Sequence, residues 1–280
     1  MLSTRILTAL ILIPVVLAAL FALPPAGWGA VALVAIVAAA AEWAALAGLV
    51  GRLRLVFVAG TVLIGGVLLL LPAAGFGSGG WPPRVVTGAC GLACAFWVAV
   101  APPWLRGRWR PASPAAMAVA GWIVLIGAWV AVVQLQARSP WLVLAAMAIV
   151  WVADTAAYFA GRAFGRRKLA PSISPGKTWE GVVGALIAVA LYALALVPFA
   201  AAAGYGREVG AGPIAIWVAL ALVLTALSIE GDLFESLLKR QAGVKDSGKL
   251  LPGHGGILDR IDALVAAMPA AALLANGFLQ

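Results

Sequence analysis

The chain has 280 residues, of which 64% are hydrophobic and only 10% charged. A soluble domain would carry about a quarter charged residues, whereas here apolar runs of about 20 residues, long enough to cross a bilayer as helices, recur along the length. That excludes a soluble protein with one large core, and the absence of strand-period alternation excludes a membrane barrel. The formal net charge of +9 is assigned to loops facing anionic lipid or a phosphorylated ligand rather than to nucleic acid.

In chain order, hydropathy predicts nine spans, at roughly 5–23, 28–49, 55–74, 85–103, 115–135, 140–160, 181–203, 212–232 and 261–279. The first run follows Arg5 and ends in small residues, as a signal peptide does, but it is read as a spanning helix. Pro24-Pro25 turns the first two spans into a hairpin. Pro82-Pro83 and Pro102-Pro103 are read as the two ends of the fourth span. Cys90 and Cys94 share one helix face and are read as small packing residues, not a metal or redox pair. Glu42 is the one acid of the N-terminal half, near the inner end of span two. It is read either as a satisfied polar tie between helices or as part of a site. The expected architecture is an all-α polytopic membrane protein of about nine transmembrane helices with a cytoplasm-facing polar site. Residues 1–110 form N-terminal transmembrane helices, and 111–280 a C-terminal catalytic region with cytoplasmic loops 161–180 and 233–260.

The basic residues orient these spans. With the N-terminus in the cytoplasm and nine alternating crossings, 16 of the 19 Lys and Arg residues fall on the cytoplasmic side, and only Arg84, Arg138 and Arg207 fall opposite. Retention of positive charge on the cytoplasmic side supports both count and orientation. The expected location is a bacterial inner membrane, with N-terminus and site cytoplasmic. Loops 161–180 and 233–260 then lie on one side and can build one site together.

The first of these polar segments runs from Asp154 to Gly181. Asp154 and Tyr158, four apart, share a face at the end of span six. An acid at that depth is costly unless it meets a cation, a metal or water. After Gly161, Gly165 and the basic run Arg166-Arg167-Lys168 come Ser172, Ser174, Pro175, Gly176, Lys177, Thr178 and Glu180. Small residues let backbone N–H groups approach an anion and a lysine supplies a point charge, so Ser174, Lys177 and Thr178 are candidate phosphate-binding residues. The glycine spacing is not that of a Walker A loop.

The stretch Glu230–Asp262 holds six of the ten acidic residues: Glu230, Asp232, Glu235, Asp246, Asp259 and Asp262. Asp232, Glu235 and Lys239 lie at helical spacing on one face, with Ser236 and Arg240 as the neighbouring pair. Asp259 and Asp262 repeat the three-residue spacing where span nine begins. Acids have no topogenic use at span ends, and Asp232 and Asp259 from different helices could meet there. Oxygen-only ligands suit Mg²⁺, which takes one or two carboxylates and leaves room for substrate phosphates; Lys and Arg beside them suit phosphoryl transfer. Five glycines between the two helices allow the loop to fold closely over a nucleotide, and Lys245, Asp246 and Lys249 alternate in sign there. His254, the single histidine, cannot make a zinc site alone and is read as touching a phosphate or positioning the loop.

The ordered run Ser236-Leu-Leu-Lys239-Arg240, Lys245-Asp246, His254-Gly-Gly and Asp259-Arg260-Ile-Asp262 resembles the motif of the phosphatidate cytidylyltransferase (CDP-diacylglycerol synthase) family. Asp154–Tyr158, Gly161–Gly165 and Ser174-Pro-Gly-Lys177-Thr178-x-Glu180 resemble that family too; the N-terminal spans do so in hydropathy alone. The resemblance implies that CTP and phosphatidic acid give CDP-diacylglycerol and pyrophosphate for phospholipid biosynthesis. It also implies Mg²⁺ dependence, leaving a second cation open, and a homodimer. On this resemblance Asp232 and Asp259 are the metal ligands, and Asp232, Lys239, Asp246 and Asp259 the catalytic set. Ser236, Arg240, Lys245, Lys249, His254 and Arg260, with Ser174, Lys177 and Thr178 from the facing loop, are substrate-binding. The alternatives are a CTP-dependent lipid-alcohol kinase of polyprenol type, with Asp246 or His254 as base, and a transporter, which would place its polar groups at the bilayer midplane.

Overall fold

The computed structural model describes residues 2–110, 113–202 and 211–278. Arg207, expected on the far side, lies outside the described residues, as does the side chain of Arg5. The chain is helical almost throughout. Helices α1 (Leu2–Ala22), α2 (Pro25–Leu46) and α3 (Gly51–Leu70) are followed by α4 (Pro83–Ala95) and α5 (Ala101–Gly107), which a π-helical turn at Phe96–Val100 joins into one segment. Then come α6 (Pro114–Arg138), α7 (Pro140–Phe164), α8 (Trp179–Ala202), α9 (Ala211–Ala242) and α10 (Leu258–Phe278). A short antiparallel hairpin of β1 (Lys168–Ala170) and β2 (Ser174–Thr178) connects α7 to α8.

Among the described residues, nine helical segments correspond to the nine predicted spans. Seven of them, α2, α3, the α4–α5 unit and α6 to α9, are long and apolar enough to cross a membrane. The protein is an all-α polytopic membrane protein, and nine is an approximate number of crossings. The side chains of α1 are described from Thr8 on, and the stretch Thr8–Ala22 is apolar; α10 opens with Asp259, Arg260 and Asp262 in its first two turns.

Proline at the first helical turn, where its missing N–H has no intrahelical partner to lose, starts α2, α4, α6 and α7 at Pro25, Pro83, Pro114 and Pro140. One sequence expectation fails here. Pro102-Pro103 do not end the fourth span, because the helix continues to Gly107. The π turn just before them shifts the backbone ladder, with the Ala101 N–H donating to Phe96 O. Both prolines then occupy the opening turn of α5, where no N–H is required.

The bundle is arranged around α6. Its apolar window is 72% buried, against 17% for α3 and for α8, so α6 is the axis and the latter two face lipid. Side chains such as Leu55, Leu63, Ile187 and Leu191 project outward accordingly. Close approach between helices is set by small residues. A Cβ at Gly231 would strike the Asp262 carbonyl and Ala266, so glycine there lets α9 lie against α10 at the level of the polar stretch.

Within that stretch Phe234, 1% exposed, is the hub of an aromatic cluster. It meets Trp104, Phe96 and Trp97 edge-on at centroid distances of 5.2, 5.5 and 5.5 Å, and stacks with Trp43 at 6.2 Å. The cluster fixes the rotation of α9, and hence where Asp232, Glu235 and Lys239 point. Phe234→Ala should therefore destabilise the fold by about 3–5 kcal/mol, read as a fall in the melting temperature of detergent-purified protein; an unchanged melting temperature would show that the cluster does not anchor α9.

Candidate active site

The polar segments gather at one end of the bundle. The last three turns of α9 extend beyond its predicted span and carry Glu235, Ser236, Lys239 and Arg240 as one continuous helix. The hairpin β1–β2 folds onto this helix. Lys177 on β2 makes an ion pair with Asp232 at 2.7 Å, and the Arg240 Nε donates to Ile173 O at 3.3 Å. Arg110, in the segment after α5, donates to Gln241 O at 2.9 Å. Loops 161–180 and 233–260, far apart in sequence, therefore meet.

Between α9 and α10 lies a pocket of about 320 Å³. Helix α9 contributes Asp232, Ser236, Lys239 and Arg240; the loop contributes Lys245 and Asp246; α10 contributes Asp259, Arg260 and Asp262. Four cations and four carboxylates thus face one cavity. A second pocket of about 520 Å³ shares Asp246 and Arg260 with it and is walled by Lys249, Pro252, His254 and the glycines between.

The charges are ordered. Lys239 lies between two carboxylates, pairing with Asp259 Oδ1 at 2.7 Å and with Glu235 one turn earlier. The other Asp259 oxygen, Oδ2, accepts the backbone N–H groups of Ser247 and Gly256, both at 2.9 Å. The Ser236 hydroxyl donates to Asp232 Oδ1 at 3.3 Å. Arg260 donates from Nε to His254 O at 3.0 Å, closing the glycine loop over the second pocket. The loop needs glycine where its backbone turns left-handed, most plainly at Gly255, with φ +87°, which packs against the Asp259 carboxylate.

Other predicted residues stand back from the pocket. Thr178 is buried, and its hydroxyl accepts the Gly181 N–H at 3.1 Å, capping α8. Ser174 lies in the hairpin register opposite Ala170. Lys249 and His254 line the second pocket, not the first. On α7, the Tyr158 hydroxyl accepts from Arg162 at 3.1 Å. Three residues outside the predicted set belong to the arrangement. Asp262 lines the pocket, and its spacing from Asp259 was the available signal. Glu235 holds Lys239 from the same helix face. Glu42, buried at 9% exposure on α2, accepts the Ile257 and Leu258 N–H groups at 3.0 and 2.7 Å and the Ser247 hydroxyl at 3.1 Å, so it is a satisfied polar tie between helices. Nothing in its neighbouring sequence signals a partner more than 200 residues away.

Among the described residues no group of three or more Asp, Glu, His or Cys side chains is close enough to enclose a metal unaided. Asp232, Asp259 and Asp262 nonetheless offer oxygen donors to one cavity. That donor set fits Mg²⁺, which commonly binds through one or two carboxylates and takes the rest of its shell from substrate phosphates and water. A fold of membrane helices with such a pocket at its rim suits chemistry between a charged soluble substrate and a lipid.

A family model described as "Cytidylyltransferase family" matches residues 3–278. The chain belongs to the cytidylyltransferase family. Among members of that family, a protein from Pseudomonas aeruginosa named phosphatidate cytidylyltransferase is 38% identical over 98% of this chain and 97% of its own length. Proteins of the same name from Haemophilus influenzae and Staphylococcus saprophyticus are 51% and 44% identical over shorter stretches, 46% and 45% of this chain and 43% and 46% of their own lengths.

Proposed function

We propose that this cytidylyltransferase-family protein transfers the cytidylyl group of CTP to phosphatidic acid, giving CDP-diacylglycerol and pyrophosphate. The observation that carries the reading is the pocket of about 320 Å³ between α9 and α10, where lysines and arginines meet carboxylates at the end of a membrane bundle. The whole-length likeness to a protein named for this activity supports it.

A phosphate oxygen of the lipid headgroup forms a new bond to the α-phosphorus of CTP, and the bond from that phosphorus to the β-phosphate bridging oxygen breaks. The nucleophile is already anionic at neutral pH, so no strong general base is needed. The barrier is the approach of two anions, which positioned cations lower. Arg240, Lys245 and Arg260 face the cavity and hold phosphate oxygens. Lys239, fixed by Glu235 and Asp259, places one further positive charge at its floor. Lys177, brought in by the hairpin, approaches from the side of Asp232. Mg²⁺ held by Asp232 and Asp259 would neutralise phosphate charge during the transfer. The nucleotide enters from the cytoplasm, and the lipid keeps its tails in the bilayer. The excess of basic residues at this end supports a cytoplasmic site in a bacterial inner membrane. A homodimer is part of the proposal.

The test supplies purified protein with phosphatidic acid vesicles and CTP labelled on either the α- or the γ-phosphate. Label from the α-position should enter the lipid, pyrophosphate should be released, and a polyprenol should accept nothing. Transfer of the γ-phosphate to a lipid alcohol would replace the reading with a kinase. Chelation of divalent cations should stop the reaction and added Mg²⁺ should restore it; full turnover in excess chelator would remove the metal from the proposal.

A further inference from the structure

Glu42 lies on α2, outside the catalytic stretch, yet three donors from that stretch converge on it. Its Oε1 accepts the Ile257 N–H, and its Oε2 accepts both the Leu258 N–H and the Ser247 hydroxyl. Leu258 begins α10, where first-turn N–H groups lack helical partners and favour a negative charge. The loop is also shaped to the carboxylate. A Cβ at Gly248 or at Gly256 would collide with the Glu42 carboxylate from either side.

The bond to Ser247 reaches further. The Ser247 oxygen, having given its proton to Glu42, turns a lone pair to the Asp259 N–H at 3.3 Å, while the Ser247 N–H donates to Asp259 Oδ2 at 2.9 Å. Gly256, whose Cα packs on Glu42, donates its own N–H to the same oxygen. Asp259 Oδ1 is thereby aimed at Lys239. We propose that Glu42 is a positioning residue for the transfer reaction, acting through Ser247 and the Gly256 backbone to hold Asp259, and through it Lys239, in the working geometry. This rests on the cytidylyl-transfer reading above and extends it to a helix of the N-terminal half.

The need for a carboxylate follows from the donor count. Glutamine offers one acceptor oxygen: in one amide orientation its nitrogen faces the Ile257 N–H, and in the other it faces the Leu258 N–H and forces the Ser247 hydroxyl to reverse. Reversal turns the Ser247 proton toward the Asp259 N–H, donor against donor.

The test compares natural protein, Glu42→Gln, Glu42→Asp and Ser247→Ala, purified in detergent and assayed with CTP and phosphatidic acid well below their melting temperatures. Glu42→Gln should lower kcat about 30-fold while KM for CTP moves less than about threefold, because transition-state geometry and not ground-state binding is lost. Glu42→Asp, which keeps the charge, should recover part of that loss. Ser247→Ala leaves the backbone bonds to Glu42 in place and should lower kcat about tenfold; combined with Glu42→Gln it should cost little more than Glu42→Gln alone, as expected of residues acting along one path. A purely structural Glu42 would lower the melting temperature yet leave kcat of the folded variants within about twofold of natural, and that result overturns the proposal. Should Glu42→Gln not accumulate as folded protein, Ser247→Ala decides by the same twofold criterion. If the natural protein itself makes no CDP-diacylglycerol, the failure belongs to the transfer reading and not to Glu42.

Discussion

Lys239→Gln is expected to lower turnover about a thousandfold and to lower the melting temperature as well. The two losses have different origins and can be separated. Lys239 is the cation between Glu235 and Asp259, whose side chains are 5% and 6% exposed. Its removal leaves two neighbouring buried carboxylates without a counter-charge, and breaking a buried pair this way costs about 3–5 kcal/mol. Combining Lys239→Gln with Glu235→Gln removes one of the stranded charges, so much of the lost stability should return. Turnover should not return, because the pocket still lacks the positive charge that the proposed transfer requires of Lys239. Thermal melts and steady-state rates on the single and double variants check both parts. A double variant within about tenfold of natural turnover would reduce Lys239 to a structural role.

How much of this was legible beforehand differs from residue to residue. The helices were legible because hydrophobic length is a local signal, and the helix-spaced set Asp232, Glu235 and Lys239 was legible because the periodicity of one helix is local too. What the sequence could not supply was geometry across elements. The approach of Lys177 to Asp232 depends on a hairpin of only three and five residues, too short to announce itself by alternation. Thr178 reads as a phosphate ligand beside Gly176 and Lys177, yet its hydroxyl caps α8, and a cap and an anion site draw on the same small polar residue types. Pro102-Pro103 read as a stop because a π turn ahead of them leaves no mark in composition. Glu42 had to be placed by packing of α2 against the start of α10, since a buried acid in an apolar helix names no partner by itself.

Exchanging the partners of the hairpin ion pair, Lys177→Asp with Asp232→Lys, should leave turnover about a thousandfold down even though the pair can re-form. The natural pair joins β2 to α9 at 2.7 Å, with side chains 24% and 31% exposed, so as a structural tie alone it is worth at most about 1 kcal/mol. A swapped pair would restore that small amount and keep the hairpin docked, helped by the Arg240 bond to Ile173 O. The chemistry does not survive the exchange. The carboxylate would stand on the hairpin instead of on the wall shared with Asp259 and Asp262, and an ammonium would occupy the α9 position that the proposed metal needs. Each single variant, Asp232→Asn and Lys177→Met, should be inactive to a similar degree while still inserting into the membrane. Recovery in the exchanged protein to within about tenfold of natural would show that the two residues serve only each other, and the metal assignment of Asp232 would fall with it.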